Sequence, residues 1–153
     1  MRTLKRILTL AALTLCVSCT QQGPLTPKEA FFSLREAFNK SDAELLMRIL
    51  SSGSVKKINE LCAHFSRMTD GQRESLSGTF GVEKEKLKNL SPVDSAALIL
   101  RLEKKKPALS MAVNLDIAGI DRKGEKAVVT VENGMYYCFV KEGPYWKFDI
   151  DFE

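Results

Sequence analysis

Ala127-Val128-Val129-Thr130-Val131-Glu132-Asn133-Gly134-Met135-Tyr136-Tyr137-Cys138-Phe139-Val140-Lys141 is the stretch on which the fold turns. β-Branched and aromatic residues crowd both halves, and Asn-Gly between two such runs signals a hairpin. Residues 127–132 read as one strand, Asn133-Gly134 as a tight two-residue turn, and 135–141 as the returning strand. In that register Val131 faces Tyr136 and Val129 faces Cys138, on the same side as Ala127 and Val140. Met135, Tyr137 and Phe139, with Val128 and Thr130, then form an apolar stripe on the other side. Such a stripe marks a partner surface unless the middle helices cover it.

The alternation continues outward in both directions. Glu142-Gly143-Pro144 reads as a turn, after which Trp146, Phe148, Ile150 and Phe152 share one side and Tyr145, Lys147, Asp149 and Asp151 the other. Upstream, Met111, Val113, Leu115 and Ile117 alternate with Ala112, Asn114 and Asp116, a half-buried strand closed by a turn at residues 121–125. An antiparallel meander of about four strands is therefore expected at the C-terminal end.

Before Pro107 the period is that of helices. Thr26-Pro27-Lys28-Glu29 is a capping box with Pro in the first turn, followed by Ala30, Phe31, Leu34, Ala37 and Phe38 at helical spacing. Ser41-Asp42-Ala43-Glu44 opens a second helix that Ser51-Ser52-Gly53 stops, so the pair reads as a helical hairpin. A third helix from Ser54 places Val55, Ile58, Leu61, Cys62 and Phe65 on one face. Residues 69–90, with three glycines, carry a cap at Thr69 and a short helix over 83–90. Ser91-Pro92-Val93-Asp94 begins a further helix that the lysines 104–106 and Pro107 end. The fold class is α+β: an N-terminal helical hairpin and further helices packed on a C-terminal antiparallel sheet, one domain over residues 26–153.

At the other end, Arg2, Lys5 and Arg6 precede an uncharged run from Ile7 to Val17, then Ser18-Cys19. Basic, apolar and small residues in that order make an export signal, and the run is too short to cross a bilayer. Ser18-Cys19 resembles the bacterial prolipoprotein signal, in which a small residue precedes a cysteine that is diacylated and becomes the new N-terminus. Cys16 is the poorer candidate because bulky Leu15 precedes it. The resemblance implies a signal over residues 1–18, lipidation of Cys19 and a tether over 19–25. It also implies a partner, the lipid membrane, in the bacterial cell envelope, with the outer membrane preferred. A secretory signal cut near Ser18 is the competing reading.

The full chain carries 23 basic and 19 acidic residues, and loss of residues 1–18 removes three of the basic ones. The mature domain is thus near neutral, which argues against nucleic acid. Lys104-Lys105-Lys106 suits a helix C-terminus. An oxidising envelope permits a Cys62–Cys138 disulfide, and two buried free thiols are the alternative. There is no phosphate loop, no HExxH, no Gly-x-Ser-x-Gly, and a single histidine. No metal or cofactor is expected. His64, beside the apolar face of the third helix, reads as a buried or boundary residue. The strand acids Asp116, Glu132, Asp149 and Asp151 take the polar phase and read as outward, solvating charges.

Helical hairpin, further helices, then a curved sheet ending in Val140-Lys141-Glu142-Gly143-Pro144-Tyr145-Trp146-Lys147-Phe148 resembles the nuclear-transport-factor-2-like, or ketosteroid-isomerase-like, cone fold. The similarity covers residues 26–51 and 109–152, while 54–106 are longer and more helical than the family's middle. The resemblance implies a cone with an internal pocket and, in many members, dimers formed through the open sheet face. Three functions stay open. One is a non-enzymatic lipoprotein binding a partner or small apolar ligand. The second is an isomerase- or dehydratase-type enzyme, which an inward carboxylate beside Tyr136 or His64 would favour. The third is a purely structural assembly lipoprotein.

Overall fold

A computed structural model describes residues 23–105 and 112–150. The signal, Cys19, Met111, Asp151 and Phe152 lie outside them. Among the described residues, six helices precede four strands. The helices are α1 (Pro27–Lys40), α2 (Ala43–Ile49), α3 (Ser52–Arg67), α4 (Asp70–Phe80), α5 (Lys84–Lys88) and α6 (Pro92–Lys105). The strands are β1 (Ile117–Lys123), β2 (Lys126–Val131), β3 (Tyr136–Glu142) and β4 (Tyr145–Asp149). They form one antiparallel sheet in sequence order, so the α+β architecture is that expected.

Local chemistry sets the helix ends. Thr26 Oγ1 accepts the Glu29 N–H at 3.1 Å, and α1 stops where Ser41 takes a left-handed φ of 54°. Asp42 then caps α2 by accepting the Leu45 N–H at 2.8 Å, so it is Asp42 rather than Ser41 that opens the second helix. Ser51 caps α3, which begins two residues earlier than its periodicity suggests. Thr69 and Gln72 form the capping box of α4, and Ser91 and Asp94 cap α6 reciprocally.

Three strand expectations are corrected. Ala112 is helical and residues 113–115 turn and bend, with Ala112 and Val113 buried, and the Arg35 side chain holds this segment by donating to the Val113 and Leu115 carbonyls, both at 2.6 Å. The apolar alternation there is satisfied by a turn packed on the core, and β1 begins only at Ile117. β1 then continues through Lys123, leaving just Gly124 and Glu125 as the turn.

The third correction is the most consequential. The β2–β3 connection is a three-residue loop, Glu132-Asn133-Gly134. Val131 N–H donates to the Met135 carbonyl at 2.9 Å, Gly134 N–H to the Val131 carbonyl at 2.8 Å, and Gly134 has φ +82°. A turn followed by a left-handed glycine is the usual three-residue hairpin. One extra loop residue shifts the register by one, and a one-residue shift exchanges the two faces of a strand. Val129 pairs with Tyr137 and Ala127 with Phe139, so these four point into the core. Tyr136, Cys138 and Val140 lie on the outer face with Val128 and Thr130.

The main core joins the inner sheet face to α1, α2, α3 and α6, with Phe31, Leu34, Phe38, Leu46, Ile58 and Leu100 meeting Val129, Tyr137, Phe139, Trp146 and Phe148. Of the middle helices, α3 and α6 help cover the inner sheet face, and together with α4 and α5 they build a second cluster of Phe65, Val82, Leu87, Leu90 and Leu98. Leu61, expected on the apolar face of α3, is exposed.

Candidate functional site

Between the inner sheet face and the helices lies a cavity of about 170 Å³. Phe38 of α1, Leu46 and Leu50 at α2, Ile58 of α3 and Ile99 of α6 wall one side; Tyr137, Phe148 and Ile150 wall the other, and Tyr136 borders the opening. Hydrocarbon lines it almost throughout, which a strand alternating inward and outward against four amphipathic helices produces without any special motif.

Tyr137 is 1 % exposed, and its ring meets Phe31 edge-on at 5.2 Å and Phe148 at 6.3 Å. Burial pushes its phenol up to about 12, the Glu103 carboxylate adds in the same sense, and Arg35 opposes. The phenol is therefore a hydrogen-bond donor at neutral pH. Tyr136, 54 % exposed, stands at the rim.

The remaining candidates are placed as follows. Tyr137 and Phe139 do not form a partner surface, since both are core residues at 1 % exposure; Met135 is half-buried and packs against the core. Cys62 and Cys138 are free thiols and form no disulfide. Cys62 Sγ lies 2.9 Å from Ser95 Oγ between α3 and α6, whereas Cys138 pairs with Val128 on the outer sheet face. The core layer separates them. Burial raises the Cys138 thiol, and Asp149 adds to the effect. His64 is exposed on α3, not at a boundary, and does not line the cavity.

Asp149 is the acid that sequence reasoning misplaced. Ser51 Oγ and Ser54 Oγ, both buried, lie 2.8 and 3.0 Å from its Oδ1, and Ile150 N–H donates to Ser54 Oγ at 2.8 Å. With the Ser51 N–H bonded to the Phe148 carbonyl at 2.8 Å, this network ties the start of α3 to the end of β4. No sequence-local pattern announces it, because the partners are more than 90 residues apart. It clamps α3 to β4, with the single histidine ten residues beyond Ser54 along α3.

A larger, open cleft of about 620 Å³ runs between α1, α2 and β4, with Glu29, Glu36, Asp42, Arg48 and Lys147 on its walls. It is wide and charged, a groove with no enclosed chamber. Among the described residues no group of three His, Cys, Asp or Glu side chains is placed to hold a metal, and no helix is long and apolar enough to cross a membrane. Compared with protein-family models, curated proteins and solved structures, the chain matches none of them.

Proposed function

We propose that the protein is a membrane-anchored lipoprotein of the bacterial cell envelope, held through Cys19, whose cone-like domain binds a small apolar ligand without turning it over. The observation that carries the ligand reading is the 170 Å³ cavity, lined almost wholly by apolar side-chain surface. Apolar walls with few polar groups are the usual make-up of a ligand chamber. Its size suits one ring or a short alkyl group, since a cavity of about 150 Å³ takes up benzene. The Ser18-Cys19 signal supports the anchor, and the order of helices and meander supports the cone family.

Two measurements test this reading. Intact-mass spectrometry of protein from native membranes is expected to give a diacylglyceryl species beginning at Cys19, lost in Cys19→Ala. Unmodified protein in the soluble fraction would end the anchor reading. For the cavity, indole and toluene are expected to raise the unfolding temperature of the wild type and not of Ile99→Phe, which fills the chamber. Equal response of both proteins, or of neither, would end the ligand reading.

A second reading, an isomerase- or dehydratase-type enzyme, draws on the field of Glu103 at the Tyr137 phenol. It requires proton transfer at the cavity, so turnover of an enolisable ketone that Glu103→Gln abolishes would favour it.

A further inference from the structure

The last residues of the expected tether are not loose. The Gly23 backbone is packed against the Tyr145 ring, where a Cβ would come within 2.9 Å of Cγ, and the Pro24 carbonyl accepts the Trp146 N–H at 2.8 Å. The edge of β4 thus holds the chain at residues 23–24, so packing on the domain extends back at least to Gly23, into the expected tether. Three residues lie between Cys19 and Gly23, so the four steps of chain reach about 14 Å at full extension.

So short a lead selects which face of the domain meets the lipid. Leu25, 54 % exposed, lies two residues on from Gly23, just before α1, and Phe32, 42 % exposed, lies on α1 one turn beyond Lys28. Cations flank the ring: Lys28 Nζ is 5.8 Å and the Arg35 guanidinium 5.1 Å from its centroid. Glu29 accepts the Leu25 N–H at 2.7 Å and Glu36 pairs with Lys40 at 2.6 Å, so the charged groups set against the Phe32 ring itself are the two cations. Leu and Phe beside Lys and Arg is the make-up of an interfacial helix face, whose apolar side chains sink to the acyl boundary while the cations stay among the phosphates.

We infer that Leu25, Lys28 and Phe32 dock the domain on an anionic lipid surface, laying α1 along the membrane. The inference rests on the Cys19 anchor. Full-length Phe32→Trp protein, purified after processing, would be reconstituted in phosphatidylglycerol–phosphatidylethanolamine vesicles with brominated acyl chains, and its intact mass read on the same sample. Native Trp146 is buried, so it contributes unquenched background. The expected result is lipidated protein whose added emission is blue-shifted and largely lost to bromine. Lys28→Glu in the same background would restore part of it, and Leu61→Trp on α3 would stay unquenched. Lipidated protein with unquenched emission at position 32 would overturn the docking and leave the anchor standing. An unmodified mass would overturn both.

Discussion

Asp149 and Tyr137 show how one side chain is committed by partners distant in sequence. The Asp149 carboxylate accepts from two buried hydroxyls, which without it would keep only each other and the backbone N–H groups of Ser54 and Ile150. Asp149→Ala should therefore cost about 1–3 kcal/mol, read as a shift in the urea midpoint at neutral pH. An unchanged midpoint would mean that the serines find other partners. Tyr137 titrates near 10.0 in the unfolded chain and near 12 in the folded one. The folded state holds its proton more tightly, so the stabilisation is complete below pH 10 and drains away as pH rises through 10 to 12. Tyr137→Phe should flatten that decline, and parallel pH profiles for the two proteins would contradict the assignment. Cys138, whose thiol burial raises, should alkylate more slowly than an exposed cysteine at pH 8. Non-reducing alkylation of the unfolded chain should mark both Cys62 and Cys138; a mass two hydrogens lighter with both unmarked would restore the disulfide.

The β2–β3 hairpin is the element in which sequence and structure part. β2 alternates legibly, with Ala127, Val129 and Val131 inward, but β3 reads Tyr-Tyr-Cys-Phe-Val, apolar at every position, so period two carries no information about its face. The loop alone decides, and Asn-Gly serves two-residue and three-residue loops alike. A face test follows. Phe139→Ala should cost about 3–5 kcal/mol, as truncation of a buried aromatic does, and Val140→Ala less than about 1.5 kcal/mol. The reverse order of losses would return the register to the two-residue form. Gly134→Ala forces a Cβ into φ +82° and should cost about 1–2 kcal/mol in the same urea assay. At α6, Ser91→Ala removes the cap that bonds Asp94 and should cost about 1 kcal/mol. The same Ser91 bonds hold the Asp94 carboxyl below its ordinary range, so their contribution is present above the unfolded value and lost as pH falls through the folded one.

At the scale of the whole molecule, the helices preceding the sheet divide their work. α1, α2, α3 and α6 close the inner sheet face, while α4 and α5 close a second, smaller cluster against α3 and α6. The cavity exists because α1, α2, α3 and α6 each bring one or two apolar residues to the same place. β4 is covered along its free edge by Pro24 and by Leu50-Ser51, whereas β1 ends the sheet with Asp121, Arg122 and Lys123, charges that oppose further strand pairing. The helix starts, their apolar faces, the hairpin turns as turns, and the α+β class were determined by the sequence alone. Capping, period and turn chemistry act over a few residues and are written where they act. The register of β3, the fate of Val113 and Leu115, the Ser51–Ser54–Asp149 clamp, the docking of Gly23 and the cavity were decided only by tertiary structure. Each depends on groups tens of residues apart meeting at ångström distances, and in a segment apolar on both faces a one-residue choice of loop reverses what is buried.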